Sequence, residues 1–232
     1  MSYIDYYRAN QVYGVRLNRR MRQMLAAVQA TGARRVLDLG CGRGLFPAEL
    51  HRRLGVQAHG LDVFEPEDVA ADGWCYTGGD LTCGLPYPDG RFDCVTLGEV
   101  IEHLPDPDRV LGEIRRVLVP GGRLVVSTPN LVCWANRVLV PLGIQPLFTE
   151  TSSQVTLGRR FRALGQGGRA NGHLKLFTHR SLAEILELHG FELLGRRGLP
   201  FDAFPWPTSL LDAACARRVP LASILLYVAR RP

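Results

Sequence analysis

The stretch Arg34–Phe46, RRVLDLGCGRGLF, constrains the fold more than any other part of the chain. A branched apolar run reaches an acid at Asp38, and glycines follow at every second position: Gly40, Gly42 and Gly44. A short continuous apolar run of this kind belongs to a strand buried on both faces, as in parallel sheets covered by helices. Glycines at the end of such a strand let a ligand approach bare backbone and the amino end of the next helix. A dinucleotide loop would read G-x-G-x-x-G and would need glycine at 45, where this chain has Leu45. The string D-x-G-x-G-x-G therefore argues against a pyrophosphate. It argues for a small nucleoside bearing an amino-acid part, whose ammonium Asp38 could favour.

The remaining sequence alternates strand and helix. Leu17, Met21, Met24 and Val28 share one face of a helix expected from about Asn10 to Ala30, ended by Gly32. LFPAELHRRLG reads as a helix closing at Gly55, VQAHGLDV as a second strand, WCYTGGDL as a third and RFDCVTLGE as a fourth. Asp106 is suited to cap a helix that has Pro107 at its first position, Val110, Ile114, Val117 and Leu118 on its apolar face, and Pro120–Gly121 as its stop. RLVVSTPN makes a fifth strand. Thr178 caps a further helix with Gly190 beyond its end, and FELLGRR and ASILLYVARR are expected as antiparallel final strands. The pattern predicts one α/β domain over 1–232: a doubly wound, seven-stranded, mostly parallel sheet. A helical cap over 1–32 precedes it, and a lid insertion over 131–175 follows strand five.

The 232 residues carry a formal net charge of +6. Lys175 is the sole lysine, so 27 of the 28 basic residues are arginine, a skew typical of GC-rich coding; a nucleic-acid partner is not expected from charge alone. No apolar run approaches the roughly 20 residues that cross a bilayer, and the polar, aromatic N-terminus lacks the apolar core of a secretory signal. A cytoplasmic protein is expected. The six cysteines, at 41, 75, 83, 94, 133 and 215, form no C-x-x-C pair and read as free thiols.

At this point the chain resembles the class I S-adenosylmethionine-dependent methyltransferases, through the glycine loop, the strand-end acids and the block LPYPDGRFDCVTLGEVIEHLPDPDRVLGEIRRVLVPGGRLVVSTPN. The resemblance covers roughly residues 33–130. It implies S-adenosylmethionine as donor and a Rossmann-like fold. It also implies that Asp38, Gly40, Cys41 and Gly42 line the donor's amino-acid end. Asp62, 22 residues after Gly40, with Val63 beside it, would take the ribose hydroxyls; Asp80 and Leu81 would meet adenine, and Gly98 and Glu99 would complete the crevice. By resemblance to ubiquinone-pathway O-methyltransferases, Arg16 would grip the donor carboxylate, with Arg19 and Arg20 as rivals.

GEVIEH places Glu99, Glu102 and His103 at i, i+3 and i+4, one face of a helical turn. With His173 they make a mixed oxygen and nitrogen set suited to Mg²⁺, Mn²⁺, Co²⁺ or Zn²⁺. The pattern is similar to the ubiquinone-pathway enzymes and to metal-dependent small-RNA terminal 2′-O-methyltransferases, where E-x-x-E-H and a later histidine hold a metal. Without a metal, His103 or His173 is the candidate general base, since imidazole titrates near neutrality. In the insertion, Trp134, Val138, Leu139 and Leu142 either floor an acceptor pocket or seat the lid. Arg159, Arg160, Arg162 and Arg169 either meet an anion or form a solvated loop. The expectation is an O-methyltransferase acting on a small molecule, a secondary metabolite or a sugar. The alternatives are an N-methyltransferase, an RNA methyltransferase and a non-catalytic scaffold.

Overall fold

Val36, Leu37 and Leu39 are entirely shielded from solvent because strand β1 (Arg35–Leu39) lies inside a sheet with helices on both faces. The computed structural model describes residues 16–63 and 73–232. After β1 come β2 (Gln57–Asp62), β3 (Cys75–Gly78), β4 (Phe92–Gly98), β5 (Leu118–Pro129), β6 (Glu192–Leu199) and β7 (Ile224–Arg230). They form one sheet in the order β3-β2-β1-β4-β5-β7-β6. The pairs from β3 through β5 are parallel, whereas β7 runs antiparallel to both β5 and β6. The expected doubly wound, mostly parallel arrangement is thus present.

Alternation along β1 divides the core. Val36 joins Met24 and Val28 of α1 (Arg19–Thr31) and Phe46 and Leu50 of α2 (Leu45–Leu54) on one face. Leu37 and Leu39 join Val110, Leu111 and Ile114 of α3 (Pro107–Val117) and Leu182 and Leu186 of α5 (His179–Leu188) on the other. Successive strand side chains point to opposite faces, so one strand serves both layers. Each such fully buried aliphatic side chain contributes about 1.5–3 kcal/mol.

Local signals end the helices. Asn18 caps α1 by accepting from the Met21 amide at 2.8 Å, and Gly32 closes it in the left-handed conformation. Asp106 caps α3 through the Arg109 amide at 3.1 Å, and Thr178 and Ser181 form a capping box on α5. Two boundaries differ from expectation. Helix α1 begins at Arg19, with residues 10–15 of the expected span outside the described residues. Helix α3 ends at Val117, before Pro120, because Leu118 already pairs with Phe92 at the start of β5.

Beyond β5 the chain forms α4 (Trp134–Leu139), a 3₁₀ turn (Val140–Leu142) and irregular backbone to α5. This segment packs an apolar cluster of its own from Cys133, Leu139, Ile144, Leu147 and Phe148, with Trp134, Phe201 and Phe204 against it. The buried Asn136 ties it together, donating to the Leu131 and Leu147 carbonyls and accepting from the Leu147 amide at 2.7 Å. Trp134 donates to Asp212 of α6 (Thr208–Cys215) at 2.7 Å. Of the expected apolar set, Leu139 is buried while Val138 and Leu142 face solvent. All six cysteines are free; Cys75 and Cys83 are exposed. Among the described residues no helix is long and apolar enough to cross a membrane.

Candidate active site

Strand order reverses between β1 and β4, and in open α/β sheets ligands bind beyond the carboxyl ends of strands at such a point. The glycine loop leaves β1 there. The Gly40 amide donates to the Leu61 carbonyl at 2.8 Å, and the Gly42 amide to Asp62 Oδ2 at 2.7 Å, so the tip of β2 holds the loop in place. Gly40, Gly42 and Gly44 all have positive φ. At Gly40 a Cβ would also lie 2.4 Å from Val100 Cγ2, so no other residue fits. Cys41 is buried between Asp38 and Asp62; burial and those charges push its thiol well up, keeping it protonated. Val63 stands half-buried past the end of β2.

Asp38 is buried and accepts from the Thr96 hydroxyl of β4 at 2.6 Å. Burial pushes its carboxyl up to about 7, against the lowering effects of the Thr96 hydrogen bond and the Arg20 charge. A cation arriving beside it would favour the ionised form. Asp80 does not stand clear of its own chain: Oδ1 accepts from the Thr82 amide and hydroxyl, both at 2.8 Å, capping the turn Leu81–Cys83. Leu81 is buried beside it.

Of the three N-terminal arginines, Arg20 reaches the crevice. Its Nη1 donates to Ser127 Oγ at 3.3 Å and lies 3.2 Å from Met24 Sδ, and its Nε is 4.0 Å from Glu99 Oε1. Arg16 is exposed ahead of the helix, and Arg19 pairs with Asp202 at 3.9 Å. Helical periodicity explains the choice: Arg20 is four residues before the buried Met24 and shares its inward face.

The expected one-face grouping of Glu99, Glu102 and His103 is corrected by the backbone. Glu99 adopts a φ of 60°, its amide bonding the Ser127 carbonyl at 3.0 Å, and the following turn is a short 3₁₀ helix, Ile101–His103. Glu99 therefore turns toward Arg20 and accepts from Ser127 Oγ at 3.1 Å. Among the described residues the convergent set is instead Glu102, His103 and His173, with ligand atoms within 4.8 Å of one another.

Glu102 is wholly buried. Its Oε2 accepts from Thr128 Oγ1 at 2.8 Å, while Oε1 has no hydrogen-bond partner among the described residues and lies 3.9 Å from His103 Nε2. Burial, then the Glu99 charge, raise its carboxyl well above the usual range. His103 Nδ1 lies 3.2 Å from the Gly172 carbonyl, and His173 Nδ1 lies 2.7 Å from the Phe148 carbonyl. A carbonyl can only accept, so each Nδ1 carries a proton, and in the neutral ring Nε2 is then the acceptor nitrogen. Burial and the neighbouring His173 lower His103 to about 4, so it is neutral at pH 7. The imidazole nitrogens of His103 and His173 and the Glu102 oxygen Oε1 thus converge, and the proton that burial favours on Glu102 is the one an arriving cation would displace.

Sequence reasoning missed Thr96, Ser127 and Thr128, small hydroxyl residues at the carboxyl ends of β4 and β5 that hold the site's acids. Their signal was position, a polar residue closing an apolar strand. It also missed Glu150, whose carboxylate accepts from the Asn171, Gly172 and His173 amides at 2.6, 2.7 and 3.3 Å. Of the four arginines singled out in the insertion, Arg159 is buried and donates to the Leu164 and Thr149 carbonyls, whereas Arg160, Arg162 and Arg169 are exposed.

A family model described as "Methyltransferase domain" matches residues 11–195. The Mycolicibacterium smegmatis protein named "Probable S-adenosylmethionine-dependent methyltransferase" is 33% identical over 192 residues, 79% of this chain and 72% of its own length. A ubiquinone biosynthesis O-methyltransferase of Xanthomonas oryzae pv. oryzae is 37% identical over 123 residues, 48% of this chain and 49% of its own. The crystal structure of Burkholderia thailandensis 1,6-didemethyltoxoflavin-N1-methyltransferase, with bound 1,6-didemethyltoxoflavin and S-adenosylhomocysteine, shares the fold. Its TM-score is 0.57 at 20% identity, over 92% of this chain and 78% of that one. The family match takes in the glycine loop and reaches into the sixth strand, and the chain belongs to the class I S-adenosylmethionine-dependent methyltransferases.

Proposed function

We propose that the protein transfers the methyl group of S-adenosylmethionine to a hydroxyl oxygen of a small molecule, a secondary metabolite or a sugar, as a single-domain cytoplasmic enzyme. The observation that carries the choice of oxygen is the convergence of Glu102 Oε1 with His103 and His173 beside the donor crevice. A neutral hydroxyl must lose its proton to attack a sulfonium, and the imidazole nitrogens of this set stand ready to take it. The partial likeness to a ubiquinone-pathway O-methyltransferase supports the same reading.

In this reading Arg20, rather than the exposed Arg16, meets the donor carboxylate, and Asp38 faces the ammonium side with Gly40, Cys41 and Gly42. Asp62 and Val63 flank the ribose, Asp80 and Leu81 the adenine, and Gly98 and Glu99 the floor. The protein's task is to align the acceptor oxygen with the methyl–sulfur bond at about 3 Å and to exclude water. His103 or His173 takes the acceptor's proton on Nε2, and Thr128 orients Glu102 by its hydroxyl.

The residues present also fit a divalent cation. Both histidines point their Nδ1–H at backbone carbonyls, the outer hydrogen bond that ligating imidazoles make, and Glu102 supplies a buried oxygen that lacks a donor. Glu102, His103 and His173 would hold the ion, with Glu99 turned away, and it would lower the acceptor's pKa. The test is a screen of hydroxyl and amine acceptors with methyl-labelled donor, repeated with His103→Ala and His173→Ala. O-methyl products lost in both variants support the reading; products methylated only on nitrogen, or turnover unchanged in both variants, overturn it.

A further inference from the structure

We propose that Phe148 and Glu150 form a bracket that sets the position and tautomer of both active-site histidines, making Glu150 a positioning residue for the acceptor site. This rests on the reading of His103 and His173 as that site's acid–base pair.

The bracket grips His173 at two points. The Phe148 carbonyl receives the ring's Nδ1 at 2.7 Å, and the Glu150 carboxylate receives the His173 amide at 3.3 Å. The same carboxylate receives the Asn171 and Gly172 amides at 2.6 and 2.7 Å. Three successive amides converging on one carboxylate form an anion-binding concavity, here filled by a side chain of the same chain. Hydrogen bonds to an ionised acceptor are about twice as strong as neutral ones. The Gly172 peptide is thereby fixed, and its carbonyl is the group that receives His103 Nδ1 at 3.2 Å. One carboxylate thus reaches His173 directly and His103 through a single peptide unit.

Phe148 shows that the arrangement is imposed. It is buried, yet has a φ of 70°, a conformation unfavourable for a side chain of its size. Strain at a bulky residue persists where the surroundings over-determine it. Here the Phe148 ring packs edge-on against Phe201 with centroids 5.2 Å apart while its carbonyl turns to His173. Behind the bracket the buried Arg159 donates to the Thr149 carbonyl at 3.2 Å, and the Glu150 charge acts on its guanidinium. The segment 148–150 is therefore anchored through Arg159 as well as through the histidine loop. The imidazole rings themselves sit with centroids 4.8 Å apart, so a shift of the 171–173 backbone would move one ring against the other.

The test is ¹⁵N–¹H correlation spectroscopy of the ring nitrogens in the histidine-labelled full-length protein, as wild type, Glu150→Gln and Glu150→Ala. Signals are assigned with His103→Gln and His173→Gln, and S-adenosylhomocysteine affinity is measured alongside. Wild type should give the Nδ1–H tautomer pattern at both residues. Glu150→Ala should lose it at both, with averaged or broadened ring signals, and Glu150→Gln should weaken it while keeping the fold. Donor-product affinity should stay within about twofold, since the Glu150 carboxylate holds the 171–173 amides and not the residues assigned to the donor. Ring patterns unchanged from wild type in both variants overturn the proposal, as does loss confined to His173, which would cut the link to His103. The spectra need no acceptor. A bracket that fails while His103→Ala still abolishes turnover is therefore distinguishable from an intact bracket around histidines that turnover does not require.

Discussion

The Arg20 guanidinium crosses the end of β4 directly over Gly98: a Cβ at Gly98 would lie 2.6 Å from Arg20 Nη1 and 3.0 Å from Met24 Cε. The absent side chain is what lets a helix residue reach Ser127 on the neighbouring strand. Gly98→Ala should leave the fold intact, because the far end of a flexible side chain can move aside. It should weaken S-adenosylhomocysteine binding about tenfold, the loss of one charge-assisted hydrogen bond at about 1.4 kcal/mol. Calorimetric titration of wild type and variant measures it, and equal affinities would remove Arg20 from the donor site.

Asp38 should make stability depend on pH in the direction opposite to an ion-paired acid. Burial raises its carboxyl to about 7, so the fold favours the protonated form. The cost is absent below the unfolded-state value near 4, grows as pH rises and is complete above about 7. Asp38→Asn should therefore melt higher than wild type at pH 8 without donor, with the gap closing toward pH 4, while donor binding is lost. A melting difference that does not vary with pH would contradict this.

Glu113 gives the opposite sign on the solvated side of α3. Two hydrogen bonds from Arg116, at 2.8 and 2.9 Å, and one from the Leu85 amide hold its carboxyl down at about 2. That stabilisation is present above the unfolded value near 4.3 and is lost as pH falls toward about 2. Because the pair is partly exposed, about 1–2 kcal/mol is expected at pH 7. Glu113→Gln should show that deficit in urea denaturation at pH 7 and approach wild type near pH 2.

Glu102 separates a cation from a proton. If the acceptor set binds a divalent ion, Mn²⁺ should raise the melting temperature of wild type in a concentration-dependent way and leave Glu102→Gln unmoved. Without metal, Glu102→Gln should be as stable as wild type or more so, since Gln replaces a buried carboxyl whose Oε1 has no partner among the described residues. An Mn²⁺ response of equal size in both proteins would place the ion elsewhere.

The sequence by itself determined the sheet and the strand ends that frame the crevice. Val36, Leu37 and Leu39 had to be buried on both faces, Gly40 and Gly42 had to follow β1, and Asp62 had to close β2, because period and chain order specify a parallel sheet and the ends of its strands. What only the tertiary structure decided lies where distant segments meet. Arg20 and not Arg16 enters the crevice because the helix begins at Arg19 and packs Met24 inward. Glu99 leaves the Glu102–His103–His173 group because its backbone turns left-handed as the chain leaves β4. Glu150 and Phe148 reach His173 across more than 20 residues of irregular chain, and no periodicity records such a contact. Hydrogen bonds between loops are set by where the packed core delivers their ends, and that is a property of the folded chain.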